Sequence, residues 1–263
     1  MSDKKVAIIT GATGAIGKAI ARNIAKDHNY HMHLVARNEE KAQVAKDEII
    51  RTTNNPKVDY HIIDLSDRND IYQLAGSWNQ QLHVLVNNAA TAPRSRQETR
   101  AGIELQFATN VLGYFWMIKA FEEKLILSAP SRVINVASYW AGGLEINDME
   151  FRNRHYNNDS AYRQSKQANR MLTVAFAERL GKHNVRVVTC HPGDVNSKLS
   201  NDLGFGGHET PDEGAKTPTW LSTQPFNQLK TGRYYEHMRI ADCHFSHDKN
   251  SIYQLYELCE TYS

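Results

Sequence analysis

The chain has 263 residues, 41% hydrophobic and 23% charged, which is ordinary for one well-buried α/β domain. Its formal net charge of +2 gives no bulk electrostatic reason to bind nucleic acid or an anionic membrane. Three widely spaced cysteines, Cys190, Cys243 and Cys259, without a C-x-x-C, predict free thiols in a reducing compartment rather than a disulfide framework. The opening MSDKKVAIIT carries no apolar signal region, and no run approaches the roughly 18–20 apolar residues of a membrane span. The expectation is a cytoplasmic protein, with VLGYFWMI at 111–118 as a buried helix.

Short β-branched runs alternate with helical patterns along the chain. Strands are predicted at Val6–Thr10, His31–Ala36, Val58–Ile63, His83–Val86, Val133–Ala137, Val185–Thr189 and, more weakly, Gly232–Tyr235. Ile16, Ile20 and Ile24 recur every four residues, as one buried helical stripe requires. The stretch Ala161–Leu180 is a second amphipathic helix, with Gly181 as its C-cap. This alternation predicts an α/β fold, a Rossmann-type doubly wound parallel sheet of about seven strands in the order 3-2-1-4-5-6-7, flanked by helices. No linker or repeat divides residues 1–263, so a single domain is expected. From Pro192 to Pro218 the chain is rich in Gly, Asp, Asn and Pro and lacks apolar periodicity, so residues 193–218 read as a lid over the ligand crevice.

The first strand runs into TGATGAIGKAI, with Gly11, Gly14 and Gly17 spaced through the turn. Small residues let the backbone turn sharply and approach a pyrophosphate, while the following helix offers free N–H groups and the positive end of its dipole. A strand–helix turn without a ligand would use glycines too, but this turn follows a first strand and opens an amphipathic helix, as the dinucleotide motif demands. Thr13 and Ile16 lie in the same turn. The second strand ends in LVAR; an acid there would take the ribose hydroxyls of NAD, and an arginine accommodates the 2′-phosphate of NADP. Arg37, with Lys18 nearby in sequence order, therefore favours NADP(H) over NAD(H). Asp64 and Leu65 after the third strand, and the NNAA run containing Asn88 and Ala89 after the fourth, also fall at carboxyl ends of strands.

AYRQSKQAN places Tyr162 and Lys166 four apart on one helix face. A free tyrosine with a pKa of about 10 is a poor base near neutrality, and a neighbouring ammonium would favour the phenolate. Ser138 ends the fifth strand, where its hydroxyl can face the same crevice. Asn110 falls within the helical pattern of Phe107, Val111, Tyr114, Phe115 and Ile118; an amide there must find partners or reach solvent.

TGATGAIG, NNAA, Asn110, Ser138, YRQSK and HPGDVNSK at 191–198, in that order, resemble the short-chain dehydrogenase/reductases over nearly the whole chain. The resemblance implies an oxidoreductase moving hydride between NADP(H) and a carbonyl or alcohol, with a small-molecule substrate. By it, Ser138 polarises the carbonyl, Tyr162 is the acid/base, Lys166 binds the nicotinamide ribose and tunes Tyr162, and Asn110 holds a water for proton relay. Pro192, Gly193 and Val195 would shape the nicotinamide pocket, Asn88 line the cleft, and Asp64 reach the adenine. The 24-residue interval from Ser138 to Tyr162, TPDEGAKTP at 210–218 and TGRYYEH at 231–237 are similar to the retinol-dehydrogenase-like branch, whose members often reduce lipophilic aldehydes or ketones; the membrane anchor of many of them is not expected here. Many relatives pair the helices bearing Asn110 and Tyr162 across a two-fold axis, which implies a homodimer or homotetramer.

Two departures stand out. The glycine spacing T-G-x-x-G-x-x-G, with Ala15 where a middle glycine is usual, looks like the extended branch that includes sugar-nucleotide epimerases, and NNAA replaces NNAG. A non-catalytic NADP(H)-binding regulator and a sugar-nucleotide enzyme are the alternatives. Metal chemistry is not expected: His28, His31 and His33 cluster around the second strand, but no carboxylate or cysteine joins them at a ligand spacing. Arg94, Arg96 and Arg100 read as a solvated loop. The substrate pocket is expected from Tyr139, Trp140, the Phe151–Tyr156 stretch and the lid.

Overall fold

A computed structural model describes residues 4–263. Strand β1 (Lys5–Thr10) is buried along nearly its whole length and lies at the centre of one sheet. Helix α1 (Ala15–Ala25), β2 (Tyr30–Ala36), α2 (Glu39–Thr53) and β3 (Val58–Ile62) complete the first crossovers. Helix α3 (Arg68–Gly76) and β4 (Val84–Asn87) follow, then a π-helical turn (Phe107–Leu112) that runs into α4 (Gly113–Leu127). The second half contains β5 (Ser131–Val136), α5 (Asn158–Leu180), β6 (Val185–Cys190), α6 (Lys198–Asp202) and α7 (Pro211–Thr223), and ends in β7 (Tyr234–Glu236), β8 (Arg239–Ala241) and α8 (Lys249–Glu260).

The sheet order is β3-β2-β1-β4-β5-β6-β7-β8. All pairings are parallel except β7 with β8, so the expected seven strands carry one antiparallel addition. The extra strand exists because His237 and Met238 both adopt left-handed backbone, with φ of 47° and 62°. Two consecutive positive φ values are the geometry of a two-residue hairpin turn.

Alternation along the strands divides the apolar residues between two layers. Ala7, Ile9, Met32 and Leu34 pack with Ile20 and Ile24 of α1, Ile49 of α2, and Ala215 and Leu221 of α7. Val6, Ile8, Leu85 and Val133 pack on the other face with α3, α4, α5 and α8. On that second face α8 inserts Ile252, Leu255, Tyr256 and Cys259, all buried, and Tyr256 meets the rings of Phe115 and Phe176. Burying a large apolar side chain contributes about 1.5–3 kcal/mol, so α8 is part of the core and packs against α4 and α5.

Three local differences bear on the site. Asn157 caps α5, accepting from the Ser160 amide at 2.9 Å, so the helix begins before Ala161. Gly181 is the C-cap of α5 as expected, its N–H donating to the Ala177 carbonyl, but with right-handed backbone; the left-handed residue is Asn184, at φ 60°. The segment read as irregular to Pro218 is helical from Pro211, because Thr210 and Glu213 form a reciprocal capping box and Pro211 occupies the first turn. Among the described residues, no helix is long and apolar enough to cross a membrane.

Candidate active site

The turn after β1 packs its backbone against β4. Gly11 sits at φ +65°, and a Cβ there would lie 2.8 Å from the Ala89 Cα. A Cβ on Gly17 would lie 2.6 Å from the Asn88 amide nitrogen. Asn88 holds the turn in place, its amide donating to the Thr10 carbonyl at 3.0 Å while its own N–H donates to Thr10 Oγ1 at 2.8 Å. Gly14 is the N-cap of α1 and supplies no side-chain cap, so the first amides of α1 face the crevice unsatisfied by any side chain. Thr13 and Ile16 border the same opening, half-buried.

Arg37 is exposed just past β2. Lys18 does not join it: its ammonium pairs with Glu48 of α2 at 2.6 Å. That corrects the expectation of two cations at one phosphate; a helix–helix ion pair has claimed the lysine. Asp64 spends one carboxylate oxygen on the Ser66 amide and hydroxyl, at 2.9 and 2.8 Å. Leu65 is buried beside Gly113, where a Cβ would lie 2.7 Å from the Leu65 carbonyl.

Ser138, two residues beyond β5, accepts from the Trp140 amide at 3.1 Å and hydrogen-bonds to Tyr162. Lys166, one turn along α5, is almost wholly buried; its ammonium donates to the Val136 carbonyl at 3.0 Å and lies near the faces of Tyr114 and Tyr162. Burial pushes Tyr162 up to about 12, against the Ser138 hydrogen bond, and pushes Lys166 down to about 7. The expectation that Lys166 lowers the Tyr162 pKa is therefore not met by the protein alone. Desolvation outweighs the neighbour, because both groups are buried and the ammonium is turned onto a carbonyl.

Asn110 is fully buried in the π-helical turn. Its carbonyl oxygen accepts from the Thr91 amide at 2.8 Å, and its NH₂ donates to the Thr91 carbonyl at 2.9 Å and Ser165 Oγ at 3.3 Å. The side chain thus ties the NNAA loop to α5. Such single π turns are frequent at functional sites.

Pro192, Gly193 and Val195 follow β6 and close the cleft above Tyr162. Gly193 has φ +114°, a conformation that excludes side chains, and the Glu209 carboxylate lies against it. The open space measures about 410 Å³ and brings Ile16, Ser138, Tyr139, Trp140, Tyr162 and Phe205 together. The Phe151–Tyr156 stretch is not part of this lining; the Tyr156 hydroxyl instead donates to the Pro93 carbonyl. The segment expected to act as a lid is pinned at its base, where Glu209 and His208 donate to the Asp194 carbonyl and Asn196 donates to Glu209. Arg96 is engaged by Glu98 and the Glu150 carbonyl.

Two residues that sequence reasoning passed over complete the site. His191 is buried with Nδ1 unpartnered among the described residues, and burial holds it down to about 3, so its ring is neutral. Arg170, one turn beyond Lys166, donates to the Ser138 carbonyl at 2.6 Å and stacks on Tyr234 of β7 at 3.5 Å. A buried arginine four residues after the lysine was the available signal. The histidines around β2 separate as well: His28 bonds the Thr53 carbonyl, while Asp59 of β3 meets His31 at 2.7 Å. The premise that no carboxylate joins them is overturned by strand pairing.

A sequence profile described as short chain dehydrogenase matches residues 5–204. Human retinol dehydrogenase 11 is 32% identical over 254 residues, covering 91% of this chain and 78% of that protein. A Mycobacterium paratuberculosis protein of unassigned function superposes with TM-score 0.81 at 25% identity, covering 98% of this chain and 92% of that one. A metagenomic short-chain oxidoreductase solved in complex with NADP gives TM-score 0.69 at 26% identity, covering 88% and 96%. The chain belongs to the short-chain dehydrogenase/reductase family of oxidoreductases and is retinol-dehydrogenase-like within it.

Proposed function

We propose that the protein is an NADP(H)-dependent carbonyl reductase or alcohol dehydrogenase acting on a lipophilic aldehyde or ketone. The observation that carries this reading is the buried Ser138–Tyr162–Lys166 cluster beside the cleft lined by Pro192, Gly193 and Val195.

The residues fit a dinucleotide. Gly11 and Gly17 let the turn pack directly on Ala89 and Asn88, where a Cβ would clash, and α1 presents uncapped amides at its mouth. Arg37, exposed with no acid among residues 35–38, supports the 2′-phosphate form. Asp64 through its free oxygen, Leu65, Asn88 and Ala89 would line the adenosine side, and Tyr162, Lys166, Pro192, Gly193 and Val195 the nicotinamide side. When bound, the nicotinamide supplies or accepts the hydride.

Tyr162, held as a neutral phenol, donates its proton to the carbonyl oxygen as reduction proceeds. Ser138 holds that oxygen through its hydroxyl. Lys166 is poised close to neutrality and, turned from the Val136 carbonyl toward Tyr162, stabilises the phenolate left behind. Asn110 fixes the loop and helix that frame this path. Tyr139, Trp140 and Phe205 make the entrance apolar, supporting a lipophilic substrate.

The reading includes self-association as a homodimer or homotetramer, with a small-molecule substrate in each cleft. A cytoplasmic setting accords with three buried free thiols. The test follows NADPH absorbance with a panel of aldehydes, ketones and quinones. Turnover with NADPH above NADH is the expected result. Tight NADPH binding with no turnover of any panel member would replace the enzyme with a cofactor-binding regulator.

A further inference from the structure

Strands β2 and β3 run parallel with His33 opposite Asp59 and Val35 opposite His61. Alternate residues of a strand share a face, so His31, His33, Asp59 and His61 all project to the side covered by α3 and Trp78. One donor atom from each of His31, His33 and Asp59 lies within 4.8 Å of the other two. His31 Nε2 and Asp59 Oδ2 are 2.7 Å apart, and His33 Nδ1 and His61 Nε2 are 2.9 Å apart.

We propose that His31, His33 and Asp59, with His61 beside them, form a binding site for a divalent transition-metal ion of the zinc class that clamps the edge strand β3 to β2. Two imidazoles and one carboxylate, with a third imidazole next to them, are donor types such ions favour.

Ligand atoms bound at about 2.0–2.1 Å in a tetrahedron stand roughly 3.3 Å apart, so His31 and Asp59 would open from 2.7 Å while the wider separations in the set, up to 4.8 Å, draw in by side-chain rotation. His31 and Asp59 have that freedom, with side chains 21% and 51% exposed. Outer partners are also in place. Gln80 reaches His33 Nε2 at 3.0 Å, and its amide, turned over, would accept Nε2–H and present Nδ1 to the ion. Lys46 holds Asp59 Oδ1 at 3.5 Å and leaves Oδ2 toward the histidines, at the cost of a positive charge near the ion. His31 precedes Ala36 by five residues, roughly 16 Å along the strand, which puts the ion well away from the cofactor edge. It would act on stability, not on the chemical step.

The experiment uses the untagged full chain stripped with EDTA and titrated with Co²⁺. One equivalent should give visible absorption of tetrahedral intensity, abolished by Zn²⁺, with quenching of the Trp78 emission that a Trp78→Phe control lacks. Saturating Zn²⁺ should raise Tm by about 5–10 °C. His31→Gln and Asp59→Asn, at partly exposed positions and melting like wild type in EDTA, should each weaken Co²⁺ binding by more than about a hundredfold. Lys46→Met should tighten it. Equal Co²⁺ binding by wild type and both ligand variants, a weak octahedral spectrum, or an unchanged Tm with Zn²⁺ would overturn the proposal.

Discussion

Two titratable clusters, one buried and one partly exposed, sit on the same sheet, and they are built on opposite plans. At the carboxyl edge, Tyr162 is pushed up to about 12 and Lys166 down to about 7, each toward its neutral form, with no counter-ion in contact. On β2 and β3, His33 is also driven neutral, yet the neighbouring Asp59 stays ionised because His31 and Lys46 meet it. The first cluster turns its reactive oxygen toward an open cleft. The second turns its donors toward one another. Burial supplies the same pressure in both places; where the lone pairs point separates a site that waits for a molecule from one drawn closed around a point.

The comparison breaks most readily at Tyr162. Tyr162→Phe removes only the phenolic oxygen and should lower kcat by about 10²–10⁴-fold, while NADPH binding measured by fluorescence stays within about twofold. Full activity in that variant would move the proton to another group. Next comes Arg170, which ties the Ser138 carbonyl to β7. Arg170→Ala should lower kcat by roughly 10–100-fold with little change in the KM for NADPH, and lower stability by about 1–3 kcal/mol by leaving a buried carbonyl unpaired. Equal effects on kcat and both KM values would make it a packing residue only.

A smaller change tests the cofactor edge. Arg37→Ala should raise the KM for NADPH by about tenfold and leave that for NADH nearly unchanged, since only the former carries the phosphate. The smallest effect concerns acid stability in EDTA. The folded His33 pKa is depressed, so the unfolded chain binds more protons between about pH 6.5 and 3, and stability falls as pH falls through that window. Between pH 7 and 6 the loss amounts to about 0.7 kcal/mol for one such histidine. His33→Asn should remove that increment from urea-unfolding curves, leaving the share of His191, which is depressed in the same way.

Much of this architecture was legible in the chain. Seven strands and their order followed from β-branched runs alternating with helical stripes, and Ser138, Tyr162 and Lys166 were marked by spacing and by position at strand ends. What was not legible depended on partners distant in sequence. Lys18 read as a phosphate ligand until Glu48, thirty residues on, claimed it. Asp59 joined His31 only through the β2–β3 register. The β7–β8 turn was invisible because His237 and Met238 are unusual at two consecutive left-handed positions. Helix α7 was missed although its capping box stood in the sequence, because Gly214 and Pro218 argued more loudly than Thr210 and Glu213.

The lid offers a last consequence. Its two stems are riveted together by main-chain bonds at Asp194, Asn196, His208 and Glu209, independent of side-chain identity. Its tip carries Gly204, Gly206 and Gly207 in left-handed backbone around the exposed Phe205. If this stretch selects the substrate, changes at Leu199, Leu203 and Phe205, which line the cleft, should shift substrate preference while the bonded stems and Tyr162 stay in place.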